Sequence, residues 1–130
     1  MLIDSSAIIA ILMLEPEAKT FFDIISHART RLIAAPTLVE SSIVAKTVKG
    51  TDVLPRLELL LRELDIKVLP FGADHAHVAK LAFVKYGKGQ GHPAQLNFGD
   101  CMSYAASKVE AMPLLFKGDD FRHTDVVCAI

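Results

Sequence analysis

The chain has 130 residues, room for one domain of ordinary size, read here as a single domain over 1–130. Hydrophobic residues make up 52% of it, which supplies a sizeable core and excludes a disordered chain. The formal net charge of -1 excludes a global field drawing the protein to nucleic acid or to a membrane surface. Contact with nucleic acid therefore needs a local basic patch, or metal ions that offset negative charge.

In chain order, "MLID" (1–4) reads as a short apolar strand and "SSAIIAILMLE" (5–15) as a helix capped by Asp4 or Ser5. Pro16 opens a second helix, "PEAKTFFDIISHA". "RLIAA" (31–35) is a second strand, and "PTLVESSIVAKTVKG" (36–50) begins with Pro and ends with Gly, the usual helix asymmetry. "DVLPRLELLLREL" (52–64) is an amphipathic helix and "IKVLPF" (66–71) a third strand. "ADHAHVAKLAFVKYG" (73–87) is a helix, followed by a Gly- and Pro-rich loop over 86–97 too short to link domains. "NFGDCMSYAASKVEA" (97–111) is a helix capped by Asn97, "PLLFK" (113–117) a fourth strand, and "DVVCAI" (125–130) a fifth. Short apolar strands alternating with helices predict an α/β fold, a parallel sheet of four to five strands with helices on both faces. Cys101 and Cys128 are expected as free thiols, and neither a charged leader nor a bilayer-length apolar run is seen, so a soluble cytoplasmic protein is expected.

In such sheets the ligand site lies beyond the carboxyl ends of the strands. Asp4 ends the first strand, Glu40 lies in the first turn of the helix after the second, and Asp119 and Asp120 follow the fourth. Asp100 lies in the first turn of the helix that feeds the fourth strand. Each has an ordinary structural reading. Helix N-termini favour acids, "TLVE" (37–40) and "NFGD" (97–100) fit capping boxes, and Asp119–Asp120 fits a solvated turn. Jointly they say more. Four carboxylates meeting at one sheet edge repel unless a counter-charge is present. A hard divalent cation, Mg²⁺ or Mn²⁺, is the expected one, because no His–Cys cluster with zinc spacing competes. Such a site suits phosphodiester hydrolysis by metal-activated water. The chain has no G-x-S-x-G and no P-loop.

"MLIDSSAIIAIL", "PTLVESSIV", "LNFGDCMSYAAS" and "PLLFKGDDFRHTDV" together resemble the PIN domain, and more closely the VapC-type toxins of bacterial toxin–antitoxin pairs. The resemblance runs nearly end to end. It implies a metal-dependent endoribonuclease that cuts structured RNA, often transfer or ribosomal RNA, leaving a 5′-phosphate. It also implies inhibition by a small antitoxin, and a homodimer or a toxin–antitoxin hetero-oligomer. By position it assigns Asp4, Glu40, Asp100 and Asp119 as catalytic, with Asp4, Asp100 and Asp119 on the metal and Ser6 and Asp120 in support. The family's Thr or Ser before the fourth acid is replaced here by "FKGD", which removes a hydroxyl from that corner.

Arg122 and Lys88 are candidate RNA phosphate contacts; His92 and His123 read as loop and turn residues, and Lys85 as solvated charge. Tyr104, one turn after Asp100 with Ser103 beside it, either stacks on a base or packs. The early helices are the expected place for an antitoxin groove. Two rivals stand beside the nuclease. A signalling receiver domain needs an acid pair after its first strand, and "IDSS" offers one acid. A catalytically inactive PIN-like module would bind RNA or protein without cutting.

Overall fold

A computed structural model describes residues 1–47 and 52–130. Its sheet has four parallel strands: β1 (Leu2–Ile3), β2 (Leu32–Ala34), β3 (Lys67–Leu69) and β4 (Leu114–Leu115), in the order β3-β2-β1-β4. The register pairs Leu2 with both Leu32 and Leu114, so β1 is central. The helices are α1 (Ser5–Leu12), α2 (Ala18–His27), α3 (Ala35–Thr47), α4 (Leu54–Glu63), α5 (Ala73–Tyr86) and α6 (Phe98–Val109). A 3-10 turn covers Asp120–His123. The expected α/β class, parallel sheet and flanking helices are all present.

Strand alternation builds the two layers, because successive side chains point to opposite faces. Ile3, Ile33 and Leu115 turn to one face, where they meet Ile8, Ile11, Phe21, Ile25 and Leu57 of α1, α2 and α4. Leu2, Ala34, Leu114 and Phe116 turn to the other, against Ala79, Ala82, Cys101 and Ala105 of α5 and α6.

Three expectations change in detail. The segment 125–130 makes no ladder; it touches β4 through one parallel bridge, Leu114 to Cys128, beyond the sheet's β4 edge. Asp125 is drawn off instead towards α6, accepting from the Tyr104 hydroxyl at 2.7 Å. The second helix opens at Ala18 rather than Pro16. The third begins at Ala35, before Pro36, so Thr37 lies inside it and cannot be its cap. Its expected end at Gly50 falls outside the described residues.

The strand order places the site. From β1 the chain moves one way to β2 and β3, then returns to the other side of β1 as β4. The switch point, where α/β sheets hold their ligands, lies between the carboxyl ends of β1 and β4. Asp4 follows β1 there, and the Lys117–Asp120 segment follows β4.

Candidate active site

Asp4 is 2% exposed and caps α1. Its Oδ2 accepts from the Ser6 N–H at 3.0 Å and from the Ser6 hydroxyl at 2.6 Å. Its Oδ1 accepts from the Ser103 hydroxyl of α6, also at 2.6 Å. A carboxylate offers about four acceptor positions, so one remains, on Oδ1. Ser6 does more than steady Asp4: its hydroxyl also accepts the Lys117 N–H at 3.0 Å. The corner left without a Thr or Ser hydroxyl is therefore tied to the site by main chain. The Lys117 ammonium reaches back to Glu15 at 2.6 Å and to Glu17 at 3.0 Å. Gly118, at φ +100°, lets the chain turn sharply between that anchor and the acid pair.

Glu40 is half-buried on α3. With α3 starting at Ala35, it has no capping task, and its Oε2 is buried without a hydrogen-bond partner. Burial raises its pKa first and the Asp4 charge second, while the Ser5 hydroxyl opposes both. Its carboxylate rests against the Gly99 backbone of α6, where a Cβ would stand 2.5 Å from Oε1. Only glycine admits that approach.

Asp100 does form the expected capping box with Asn97. Its Oδ2 accepts the Asn97 N–H at 2.9 Å, and its own N–H donates to Asn97 Oδ1 at 2.8 Å. Burial nevertheless pushes its carboxyl up to about 7; the Asn97 N–H opposes this, and the charges of Asp4, Asp120 and Glu40 add to it. These four acids share one electrostatic neighbourhood. Asp119 is not among them. Its side chain is 87% exposed and stands 3.7 Å from Arg122, along a cleft with Glu17 and Thr20.

The acids are neighbours in charge rather than ligands of one point: among the described residues, no three His, Cys, Asp or Glu side chains stand close enough to hold a metal ion. Their donor chemistry fits a hard cation all the same. Every donor is an oxygen, Asp4 keeps a free acceptor position, and the unpartnered Glu40 Oε2 faces the same charges.

The remaining candidates are peripheral. The Arg122 guanidinium lies 5.9 Å over the Phe116 ring, Lys88 is exposed, and Lys85 sits over the Tyr86 ring at 4.7 Å. His92 meets the Tyr86 ring edge-on and accepts the Ala94 N–H. Tyr104 is buried and pairs with Asp125, so it packs. Cys101 and Cys128 are free, and burial pushes the Cys101 thiol up to about 11. Gly99, the contact of Thr37 with Ser103 and the contact of Ser103 with Asp4 were not among the sequence expectations. A signal existed for Ser103: it is a polar residue amid the apolar Cys101, Tyr104 and Ala105, and buried polar groups need partners. Among the described residues no helix is long and apolar enough to cross a membrane.

The family model for the PIN domain matches residues 1–127. Ribonuclease VapC28 of Mycobacterium tuberculosis is 40% identical over 130 residues, covering 100% of this chain and 98% of that protein. Ribonuclease VapC of Mycolicibacterium smegmatis is 41% identical over 126 residues, covering 97% of each. Among solved structures, Mycobacterium tuberculosis VapC20, a Sarcin-Ricin loop cleaving toxin, superposes with a TM-score of 0.77 at 15% identity, over 97% of this chain and 95% of that one. A toxin–antitoxin complex from Klebsiella pneumoniae gives 0.73 at 18% identity, over 99% and 97%. The match over 1–127, the full-length relatives and the acids gathered at the β1–β4 switch point lead to one conclusion: this chain belongs to the PIN domain family.

Proposed function

We propose that the chain is a Mg²⁺- or Mn²⁺-dependent endoribonuclease, the toxin of a toxin–antitoxin pair, with residues 1–130 forming one PIN domain. The observation that carries this reading is the meeting of Asp4 after β1, Glu40 with its unpartnered buried Oε2 against α6, and Asp100 in the first turn of α6, where burial first and then the charges of Asp4, Asp120 and Glu40 push the Asp100 carboxyl up. Carboxylates crowded in this way suit a divalent cation. Asp4 and Asp100 would hold the ion, with Glu40 and Asp120 beside it. When bound, it supplies Lewis acidity towards water and the scissile phosphate and offsets the charge of the RNA.

The chain's own residues do the rest. Asp4, gripped by three donors, presents its free Oδ1 position in one direction. Asp100 has Oδ2 engaged by the Asn97 N–H, which leaves Oδ1 free to face the ion; without an ion, burial and the neighbouring acids push this carboxyl up to about 7. Asp120, whose charge acts on Asp100, takes the place of the fourth acid, which the resemblance assigned to Asp119 with Asp120 only in support. Arg122 and Lys88 are proposed phosphate contacts, and the substrate is structured RNA, transfer or ribosomal.

Two relatives support a protein partner, because solved neighbours are described as a toxin–antitoxin complex and as VapBC2 from Rickettsia felis bound to a promoter DNA fragment. An antitoxin segment fits the groove of about 420 Å³ between α1 and α2, where Leu14 is 76% exposed. A homodimer fits the apolar face shared by α3, α5 and α6, where Phe98 is 78% exposed. The proposed setting is the cytoplasm.

The test is to incubate the purified chain with total RNA and Mg²⁺, with and without chelator, beside Asp4→Ala. Cleavage that requires both the metal and Asp4 supports the nuclease. RNA binding without cutting would favour the inactive PIN-like module.

A further inference from the structure

Four segments carry the four acids, and a single run of hydrogen bonds joins all four. Thr37 Oγ1 of α3 stands 3.1 Å from Ser103 Oγ of α6. Ser103 Oγ reaches Asp4 Oδ1 after β1, at 2.6 Å. Asp4 Oδ2 meets Ser6 Oγ, and Ser6 Oγ meets the Lys117 N–H after β4. The spacing repeats: Thr37 precedes Glu40 by three residues, Ser103 follows Asp100 by three, and Lys117 precedes Asp120 by three. On a helix, three residues return a side chain to the same face, so Thr37 and Ser103 report the placement of Glu40 and Asp100.

The direction of the chain follows from donor counting. A carboxylate accepts, so the one Ser103 hydrogen is spent on Asp4. Ser103 can then only accept from Thr37, whose hydrogen points at it. On the other side the Lys117 N–H donates to Ser6, and the Ser6 hydrogen goes to Asp4. Both arms end on Asp4. Thr37 and Ser103 are wholly buried, so water does not substitute for either bond.

We infer that Ser103 and Thr37 are positioning residues: a buried hydroxyl relay from α3 through α6 to Asp4 that sets the spacing of the acid cluster and the aim of Asp4 Oδ1. The inference rests on the metal reading proposed above. It predicts that Ser103 matters more than Thr37, because Thr37 reaches Asp4 only through Ser103.

The experiment measures Mn²⁺ binding to the purified full chain by calorimetry or electron paramagnetic resonance, without RNA. The variants are Ser103→Ala, Ser103→Thr, Thr37→Val and the double Ser103→Ala/Thr37→Val, with circular dichroism as the check of fold. Outer hydroxyl partners of a metal site typically carry 10–100-fold in affinity, so Ser103→Ala is expected to weaken binding by about tenfold or more. Ser103→Thr keeps the hydroxyl and is expected to restore most of it. Thr37→Val should show a smaller loss, and the double variant should match Ser103→Ala alone, since the second residue acts through the first. A folded Ser103→Ala that binds Mn²⁺ as the wild type does overturns the inference and leaves the metal reading standing. So does a double variant whose loss equals both single losses combined. Should Ser103→Ala fail to fold, the isosteric Thr37→Val decides: unchanged binding there overturns the relay. A wild-type chain that binds no Mn²⁺ brings down the metal reading, and the relay's role with it.

Discussion

Replacing Gly99 by alanine should separate stability from function. A Cβ at residue 99 would stand 2.5 Å from Glu40 Oε1 and closer still to Oε2, whereas ordinary contact begins at 3.4 Å. The Glu40 carboxylate must therefore withdraw by about 1 Å, and it can, because it is the end of a flexible side chain. Withdrawal towards water also relieves a buried oxygen that has no partner. On the stability side, alanine is favoured over glycine within a helix by about 0.8–1.0 kcal/mol. Gly99 lies in the first turn of α6, so that is an upper bound. For 130 residues it corresponds to a rise in Tm of about 3–4 °C at most. On the functional side, a displacement of about 1 Å at a reacting centre can cost about 100-fold in rate. Gly99→Ala is thus expected to melt at or slightly above the wild-type temperature and to cleave RNA about 10- to 100-fold more slowly. The assays are thermal melting by circular dichroism and a fluorescent RNA cleavage assay with Mg²⁺ in excess. Unchanged cleavage in a stably folded variant would refute a role for Glu40 at this position. A drop of several degrees in Tm would refute the claim that the carboxylate yields easily.

Four further outcomes are expected. Asp100 is raised from 3.8 to about 7, so between those values the folded state holds a proton that the unfolded chain releases. In chelator, its contribution to stability is full at about pH 4 and is lost as pH rises through about 7; Asp100→Asn should remove that slope in melts taken across the window. By the same linkage Mn²⁺ should bind more tightly as pH rises through about 7 and release protons as it binds, which calorimetry in two buffers of different ionisation enthalpy detects; equal affinity at pH 6 and pH 8 would count against Asp100 as a ligand. Asp120→Asn should cut cleavage at least tenfold while Asp119→Asn changes it little, and the reverse order in the RNA assay would return the fourth acid's place to Asp119. Tyr104→Phe removes a hydrogen bond to the half-exposed Asp125, and should cost about 1 kcal/mol of stability, read as a fall in Tm with the C-terminal segment loosened.

Local chemistry is what a linear sequence states directly, and here it determined a good deal. The parallel α/β architecture is written in short apolar runs alternating with helices. Asp4 is legible as a strand-end acid that caps the next helix and Asp100 as a first-turn acid, and both do so, Asp4 as the N-cap of α1 and Asp100 in its box with Asn97. Where local rules misled, tertiary packing had overridden them. "TLVE" is a capping pattern, yet α3 starts two residues before Thr37, which frees Glu40 and turns the Thr37 hydroxyl to Ser103 of α6. "DVVCAI" has the composition of a strand, yet the pairing of Asp125 with Tyr104 and Lys108 leaves it a single bridge. Adjacent aspartates at 119 and 120 are equivalent in one dimension. Only the turn after Gly118, held by Lys117 to Ser6, directs one towards Asp100 and the other towards Arg122. Whether a carboxylate caps a helix depends on atoms a few residues away. Whether it joins a cluster depends on residues up to about a hundred positions off, as Ser103 is from Asp4, and their distances exist only once the sheet order brings the two strand ends together.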